Sequence, residues 1–458
     1  MAGVRSPWHP GHMDNPAPRD LRAFRAELYS CLGRRRDAQF ELVDALLASG
    51  PVASLPHLSL APHHRRGWGS VDAALAEGRL EAERLRAAVA AHPLARGQPI
   101  SAVDVSVWPR CDAEASPARG FYYHPARHSA GQPIVAGWAY QWVAQLGFER
   151  ARWTAPVDAR RVHPTENANA VAVQQIRALV RRQSAVGAVP LFVFDGGYDS
   201  VQLTQGLAET PVAILVRLRS DRCFYADPPP TASSPKGGPP RKHGAKFNCK
   251  DPTTWPSPTA EHATEDAQYG TVRVQAWSGL HPKQQAHATR GTRRPRPIVR
   301  GTLVRVAVTR LPGRTHQPKV LWLWWAGPGI PDLDILWRAY ARRFDLEHTL
   351  RFLKQSLGWT TPRVRHPEQA DRWTWLVVAA YTQLRLARPL VADRRLPGER
   401  PLPAAKLTPN RVRRTVSAVL LAMGTPAAAP KPCGRSPGRP KGSCSGRALR
   451  HPAIKKVA

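Results

Sequence analysis

The chain has 458 residues, of which 42% are hydrophobic and 15 are Trp, enough for two or three domains with real cores and too apolar for wholesale disorder. Its 67 Lys and Arg against 33 Asp and Glu leave a formal net charge of +34. Charge on that scale calls for a polyanionic partner, nucleic acid first and an acidic membrane surface second. No apolar run approaches the length of a membrane span, and Met1 to Asp14 carries no signal-peptide apolar stretch, so a soluble intracellular protein without membrane association is expected.

Residues 1–97 read as a helical N-terminal domain, with Leu21, Phe24, Leu28 and Leu32 and then Phe40, Val43, Leu46 and Leu47 at helical spacing. A third helix is expected from Ser70, its stripe running through Val71, Leu75, Leu80, Leu85 and Val89. The connection His63-His64-Arg65-Arg66-Gly67-Trp68 is basic and suits either DNA contact or a structural role.

Residues 98–225 alternate strands and helices: strands at 99–107, 120–124 and 134–143, a helix at 168–182, a strand at 189–194, a helix from about Asp199 and a strand at 211–217. That order predicts an α/β core with a mixed sheet. Residues 226–332 interrupt it, first as a Pro-, Gly- and Ser-rich loop to about Pro258, then as strands at 271–277, 302–309 and 319–325. His281 to Arg300 holds six Lys or Arg and no acid, which reads as a solvated loop or a phosphate contact. Residues 333–390 carry a long helix from about Asp332 and a second at 367–386. Residues 391–458 read as a basic flexible tail, with no acid after Glu399. Six cysteines lack the C-x2-C spacing of a zinc site. Cys433, Cys444 and His451 are conceivable ligands, with free thiols as the alternative.

On the first of those two helices, Tyr340, Arg343, Glu347 and Lys354 fall within about 60° of one another at 100° per residue. Leu346, Leu350 and Leu353 lie on the other side, suited to packing on a sheet. One carboxylate beside two cations and a phenol suits a metal and phosphates together. An i,i+4 salt bridge between Arg343 and Glu347 is the plainer alternative.

The string Tyr340-x2-Arg343-x3-Glu347-x6-Lys354 resembles the signature of a large group of bacterial insertion-sequence transposases of the DDE kind. The resemblance implies that Glu347 is the third metal-binding carboxylate, and that Tyr340, Arg343 and Lys354 contact DNA near the cleaved end. It also implies two upstream aspartates, each ending a strand of a ribonuclease-H-like sheet. Asp195, followed by Gly196 and Gly197, matches the second, and Asp104 in Ala102-Val-Asp-Val-Ser-Val-Trp108 matches the first. Asp112 and Glu114 sit instead in a Pro-flanked loop, and Asp199 suits a helix cap. The likeness covers about residues 100–390, including an insertion before the glutamate helix.

The expected function is metal-dependent DNA cleavage and strand transfer at the ends of an insertion sequence. Asp104, Asp195 and Glu347 would hold two Mg2+ ions, replaceable by Mn2+. The expected partners are double-stranded DNA, as element ends and target, and a second copy of the chain in a homodimeric DNA complex. The expected location is the bacterial cytoplasm, on the nucleoid. Two other readings stay open: a catalytically inactive DNA-binding protein derived from a transposase, and a nuclease of the same fold without strand transfer. Trp322, Trp324 and Trp325 read as core, with stacking on a flipped base as the alternative. Ser436-Pro-Gly-Arg439-Pro-Lys-Gly442 resembles the core of a minor-groove AT-hook, which makes Arg439 a DNA-binding candidate.

Overall fold

A computed structural model describes residues 16–94, 97–124, 132–148, 153–182, 187–229, 242–283, 286–289, 292–295, 297–312, 319–432, 438, 440–444 and 446–455. The chain opens with helices α1 (Pro16–Cys31), α2 (Arg36–Ala48), α3 (Leu55–Leu58), α4 (Gly69–Glu77) and α5 (Ala82–Ala90). The single third helix expected from Ser70 is in fact two, because the chain leaves the helical region at Gly78 with φ −56° and ψ 150°. Next come strands β1 (Ile100–Pro109), β2 (Gly120–Tyr123), β3 (Ile134–Leu146) and β4 (Thr154–Val162), then α6 (Ala168–Arg182), β5 (Leu191–Phe194), α7 (Ser200–Leu207) and β6 (Ala213–Leu218).

In space the core order is β4-β3-β1-β5-β6. β3 runs antiparallel to β1 and β4, whereas β1, β5 and β6 are mutually parallel. Parallel neighbours need crossover helices, and α6 and α7 supply the connections into β5 and β6. This mixed, open arrangement is consistent with a ribonuclease-H-like fold.

β6 is not the sheet's edge. The following strands are β7 (Cys223–Tyr225), β8 (Lys246–Asn248), β9 (Ala260–Asp266), β10 (Gly270–Pro282), β11 (Ala286–Thr289), β12 (Thr292–Pro295), β13 (Gly301–Val308) and β14 (Lys319–Ala326). β14 pairs antiparallel with β6, and β13 and β10 continue outward. Residues 226–332, expected to interrupt the core, thus extend its sheet on the β6 side. The basic run 281–300, expected as a loop, contains the β11–β12 hairpin.

Strand alternation divides the interior into two layers. Val103, Phe192, Phe194, Val216, Trp322 and Trp324 face α6 and α7, and Ala102, Val193, Leu215, Leu323 and Trp325 face the other helices. All three tryptophans of β14 are under 8% exposed, so this structure buries the candidate base-stacking rings in the core.

The chain then forms α8 (Leu333–Arg342), α9 (Phe344–Gln355), α10 (Pro367–Ala387) and α11 (Pro409–Met423). The long helix expected from Asp332 is interrupted at Arg343. Helix α10 is apolar nearly all round and packs against α1, α2, α11 and β4, so the N-terminal helices share one continuous core with the sheet. The basic connection is drawn into this framework: Arg65 and Arg66 both pair with Glu41, and they donate to the carbonyls of Ala427 and Ala428.

The segment 391–458, expected as a flexible tail, holds α11 and later docks beside β2, where His451 and Ile454 donate to the Glu114 and Arg119 carbonyls. Arg413 of α11 is buried and donates to the carbonyls of Leu46, Gly50 and Ser356, tying the ends of α2 and α9 together. No helix among the described residues is long and apolar enough to cross a membrane.

Arg413→Ala removes the donor to three carbonyls at once, the Leu46 one buried. It is expected to lower stability by about 2–4 kcal/mol, measured by urea unfolding. A loss under about 0.5 kcal/mol would show that the clamp is not structural.

Candidate active site

Parallel pairing places the two aspartates. Val103 of β1 is in register with Phe194 of β5, so the next residues, Asp104 and Asp195, follow on neighbouring strands. Asp104 keeps only 18% of its side chain exposed and accepts from the Val105 backbone N–H at 2.8 Å. The Asp195 Oδ1 accepts from Gly197 N–H at 3.0 Å, and a Cβ at Gly197 would lie 3.2 Å from that oxygen. Glycine there leaves room for the carboxylate to fold back on its own turn. Asp199 caps α7, accepting from the N–H groups of Val201 and Gln202.

Helix α9 delivers the third carboxylate. Leu346, Leu350 and Leu353 are buried and seat it against β1, β3 and β4, which turns Glu347 outward with 47% of its side chain exposed. Arg343, with 5% of its side chain exposed, lies between the acids: Nη2 donates to Glu347 Oε1 at 2.9 Å and Nη1 stands 3.5 Å from Asp104 Oδ2. Its guanidinium also lies 4.7 Å from the ring centre of Phe344. The i,i+4 pair is therefore present and extends to a carboxylate on another element.

Charge in this group is strongly coupled. Burial pushes the Asp104 carboxyl up to about 6; Arg343 works against that shift, and the negative charges of Asp195 and Glu347 add to it. Burial opposes the Arg343 charge, yet Asp104, Tyr340, Glu347 and Asp195 together raise its pKa above the ordinary arginine value. Lys354 is half-buried, with Nζ 5.7 Å from the Trp359 ring centre. Burial lowers its pKa and Asp104 partly restores it, which links Lys354 to the same field. Tyr340 is 4% exposed, and its hydroxyl has no hydrogen-bond partner among the described residues.

Sequence reasoning missed Tyr198. Its ring packs on Phe194 with centroids 5.0 Å apart, and its buried hydroxyl has no partner among the described residues. Burial, then Asp104 and Asp195, raise its pKa well above the ordinary phenol. Its only signal in the sequence was its place three residues after Asp195.

Asp112 and Glu114 pair instead with Arg363 and Arg450. Arg439 and Cys433 lie outside the described residues. Among the described residues no three His, Cys, Asp or Glu side chains converge closely enough to hold an ion. The donor chemistry fits a hard divalent cation, since all three acids offer oxygen and their mutual repulsion at Asp104 is what such a cation relieves. In this arrangement, however, Arg343 holds Glu347.

The family described as DDE superfamily endonuclease matches the chain over residues 27–283. That span includes Asp104 and Asp195 and ends before the helix of Glu347. No curated protein matches the chain.

The raised Asp104 pKa makes a stability prediction. Below about 4 the group is protonated folded or unfolded and carries no penalty. As pH rises towards and past about 6 it must ionise inside the fold, and stability falls. Asp104→Asn is therefore expected to stabilise the metal-free protein by about 1–3 kcal/mol at pH 8 and by much less at pH 4. Equal melting shifts at both pH values would refute the coupling.

Proposed function

The chain belongs to the DDE superfamily of endonucleases, and from that premise we propose that it is a cut-and-paste transposase acting on the ends of an insertion sequence. A transposase- or nuclease-type activity on DNA follows from the family, whose domains are generally divalent-metal dependent. The observation that carries the finer reading is the electrostatic coupling of Asp104, Asp195 and Glu347 at one end of the sheet, with Arg343 buried among them. Strand transfer and a homodimeric DNA complex are parts of this proposal.

In this reading Asp104 and Asp195 would hold the divalent ions, Mg2+ or Mn2+, with Glu347 as the third carboxylate, which Arg343 holds in this arrangement. Bound there, two such ions would activate the attacking oxygen and neutralise charge on the leaving one. The residues themselves position DNA. Arg343 exchanges its carboxylate partners for a phosphate, with a planar fork that fits two oxygens, and Lys354 supplies a point charge nearby. The apolar ring of Phe344 and the buried Tyr340 limit the directions in which Arg343 can swing. In the first step water forms the new P–O bond, the 3′-oxygen of the element departs, and the phosphate stays on the 5′ end of the flanking DNA. In the second, the liberated 3′-hydroxyl of the element takes the place of water, bonds to a target phosphate and expels the 3′-oxygen of the target strand.

Excision in cells of a marker flanked by the gene's own bordering DNA tests the proposal, comparing wild type with Asp104→Ala, Asp195→Ala and Glu347→Ala. Excision is expected only in wild type, and full activity in any one variant removes that residue from the assignment. Arg343→Ala is expected to tighten Mn2+ binding to the DNA-free protein by about 5–10-fold, equivalent to roughly 1 kcal/mol, measured by calorimetry. Unchanged or weaker Mn2+ binding would show that Arg343 does not compete with the ion.

A further inference from the structure

The turn that follows Asp195 enters the wall of a cleft of about 520 Å³. One wall is the Gly196–Gly197 turn, which presents bare backbone. The opposite wall is made by the end of β6 and the turn into β7, which contribute Arg217, Arg219 and Arg222, and by Lys283 just past β10. A second groove opens on the other side of the same Arg217–Arg219 ridge and reaches Lys250; Gly196 lines both. These cations come from three separated stretches of chain, so local sequence does not group them.

Their charge is uncompensated. Arg219 pairs with Asp221 at 2.9 Å, but Arg217, Arg222, Lys250 and Lys283 have no acidic partner among the described residues, and all four are exposed. Several arginines elsewhere are paired, including Arg25 with Asp44, Arg86 with Asp158 and Arg411 with Asp393. The cleft's other acid, Asp199, is engaged in capping α7. Like charges gathered without partners repel, and a polyanion relieves that repulsion. The volume suits one compact body, roughly one or two nucleotides. Leu218, Phe224 and Val299 add apolar groups to the lining, which can meet a sugar or base face.

We infer that this cleft binds an unpaired DNA segment next to the cut, its phosphates on Arg217, Arg222 and Lys283, so that strand separation at the element end is read on the Asp195 side. The inference rests on the transposase reading and adds a substrate feature to it: the preferred DNA has a frayed or flapped end. Residues 340–354, on the far side of Asp104, then engage the strand being cut, while the cleft takes up the adjoining unpaired nucleotides.

The test uses the full chain in EDTA, so that nothing is cut, with two fluorescein-labelled probes of mixed sequence. One is a blunt 25-base-pair duplex, and the other is the same duplex with a six-nucleotide single-stranded flap. Wild type is expected to bind the flapped probe at least 5-fold more tightly than the blunt one. The triple variant Arg217→Ala/Arg222→Ala/Lys283→Ala is expected to lose that preference and to lower the salt-dependence slope on the flapped probe by about 2, at roughly 0.7 per single-strand phosphate contact. The triple variant's melting curve checks that it folds. Wild type that binds both probes equally, or a folded triple variant that keeps preference and slope, overturns the cleft and leaves the transposase reading standing. Wild type that binds neither probe overturns both.

Discussion

Arg343 is the interaction on which the site depends. Two aspartates on adjacent parallel strands sit about 4.8 Å apart at backbone level, and a glutamate approaches from a helix packed over the same strands. Ionised carboxylates that close, with Asp104 largely out of water, repel one another at a cost no single hydrogen bond offsets. A guanidinium with 5% of its side chain exposed, touching Asp104 and Glu347 together, makes the arrangement tolerable. The same contact explains why the three acids do not converge: the cation that stabilises them also separates them. In the proposed transposase, a phosphate competing for Arg343 would release Glu347.

Holding like charges together requires a rigid support, and the fold supplies one on each face of the sheet. Alternate residues of β1, β5, β6, β13 and β14 feed two apolar layers, one beneath α6 and α7, the other beneath α8 to α11 and the N-terminal helices. Helix α10, buried almost all round, lets the first and last helices of the chain pack on the same layer as α9. Arg413 completes the support by bonding the carbonyl ends of α2 and α9. Helices α2 and α11 thus brace the helix that carries Glu347.

This architecture changes the meaning of the net charge. A formal +34 suggests a surface covered in phosphate-binding residues. Yet Arg25 and Arg413 are buried and Arg385 is partly so, and burial pushes Arg385 and Arg413 down to about 10. Arg65 and Arg66 serve Glu41 and backbone carbonyls. The cations available to a polyanion are the smaller set left without partners, and a concentration of them lies beside Asp195.

How much was legible beforehand follows from the range of the forces involved. Asp195 was readable because a short apolar strand followed by two glycines is a local signal, and the face shared by Arg343, Glu347 and Lys354 was readable because helical spacing is local too. β4 was not: Pro156, Asp158, Arg160 and Arg161 break the alternation that marks a strand, and only pairing with β3 makes Thr154–Val162 extended. The break in the helix at Arg343, the helix inside the basic tail and the continuation of the sheet from β6 to β14 were hidden for the same reason. What the sequence determined by itself was the set of strands and helices with clear periodicity, and the acidic residues at their ends. Only the tertiary structure decided which strand lies beside which, hence that Asp104 meets Asp195, that the Tyr198 hydroxyl is buried in the field of both, and that Arg343 reaches across to Asp104. Periodicity is set by each residue's own neighbours along the chain, whereas strand partners and charge contacts are chosen by burial of surfaces far apart in sequence.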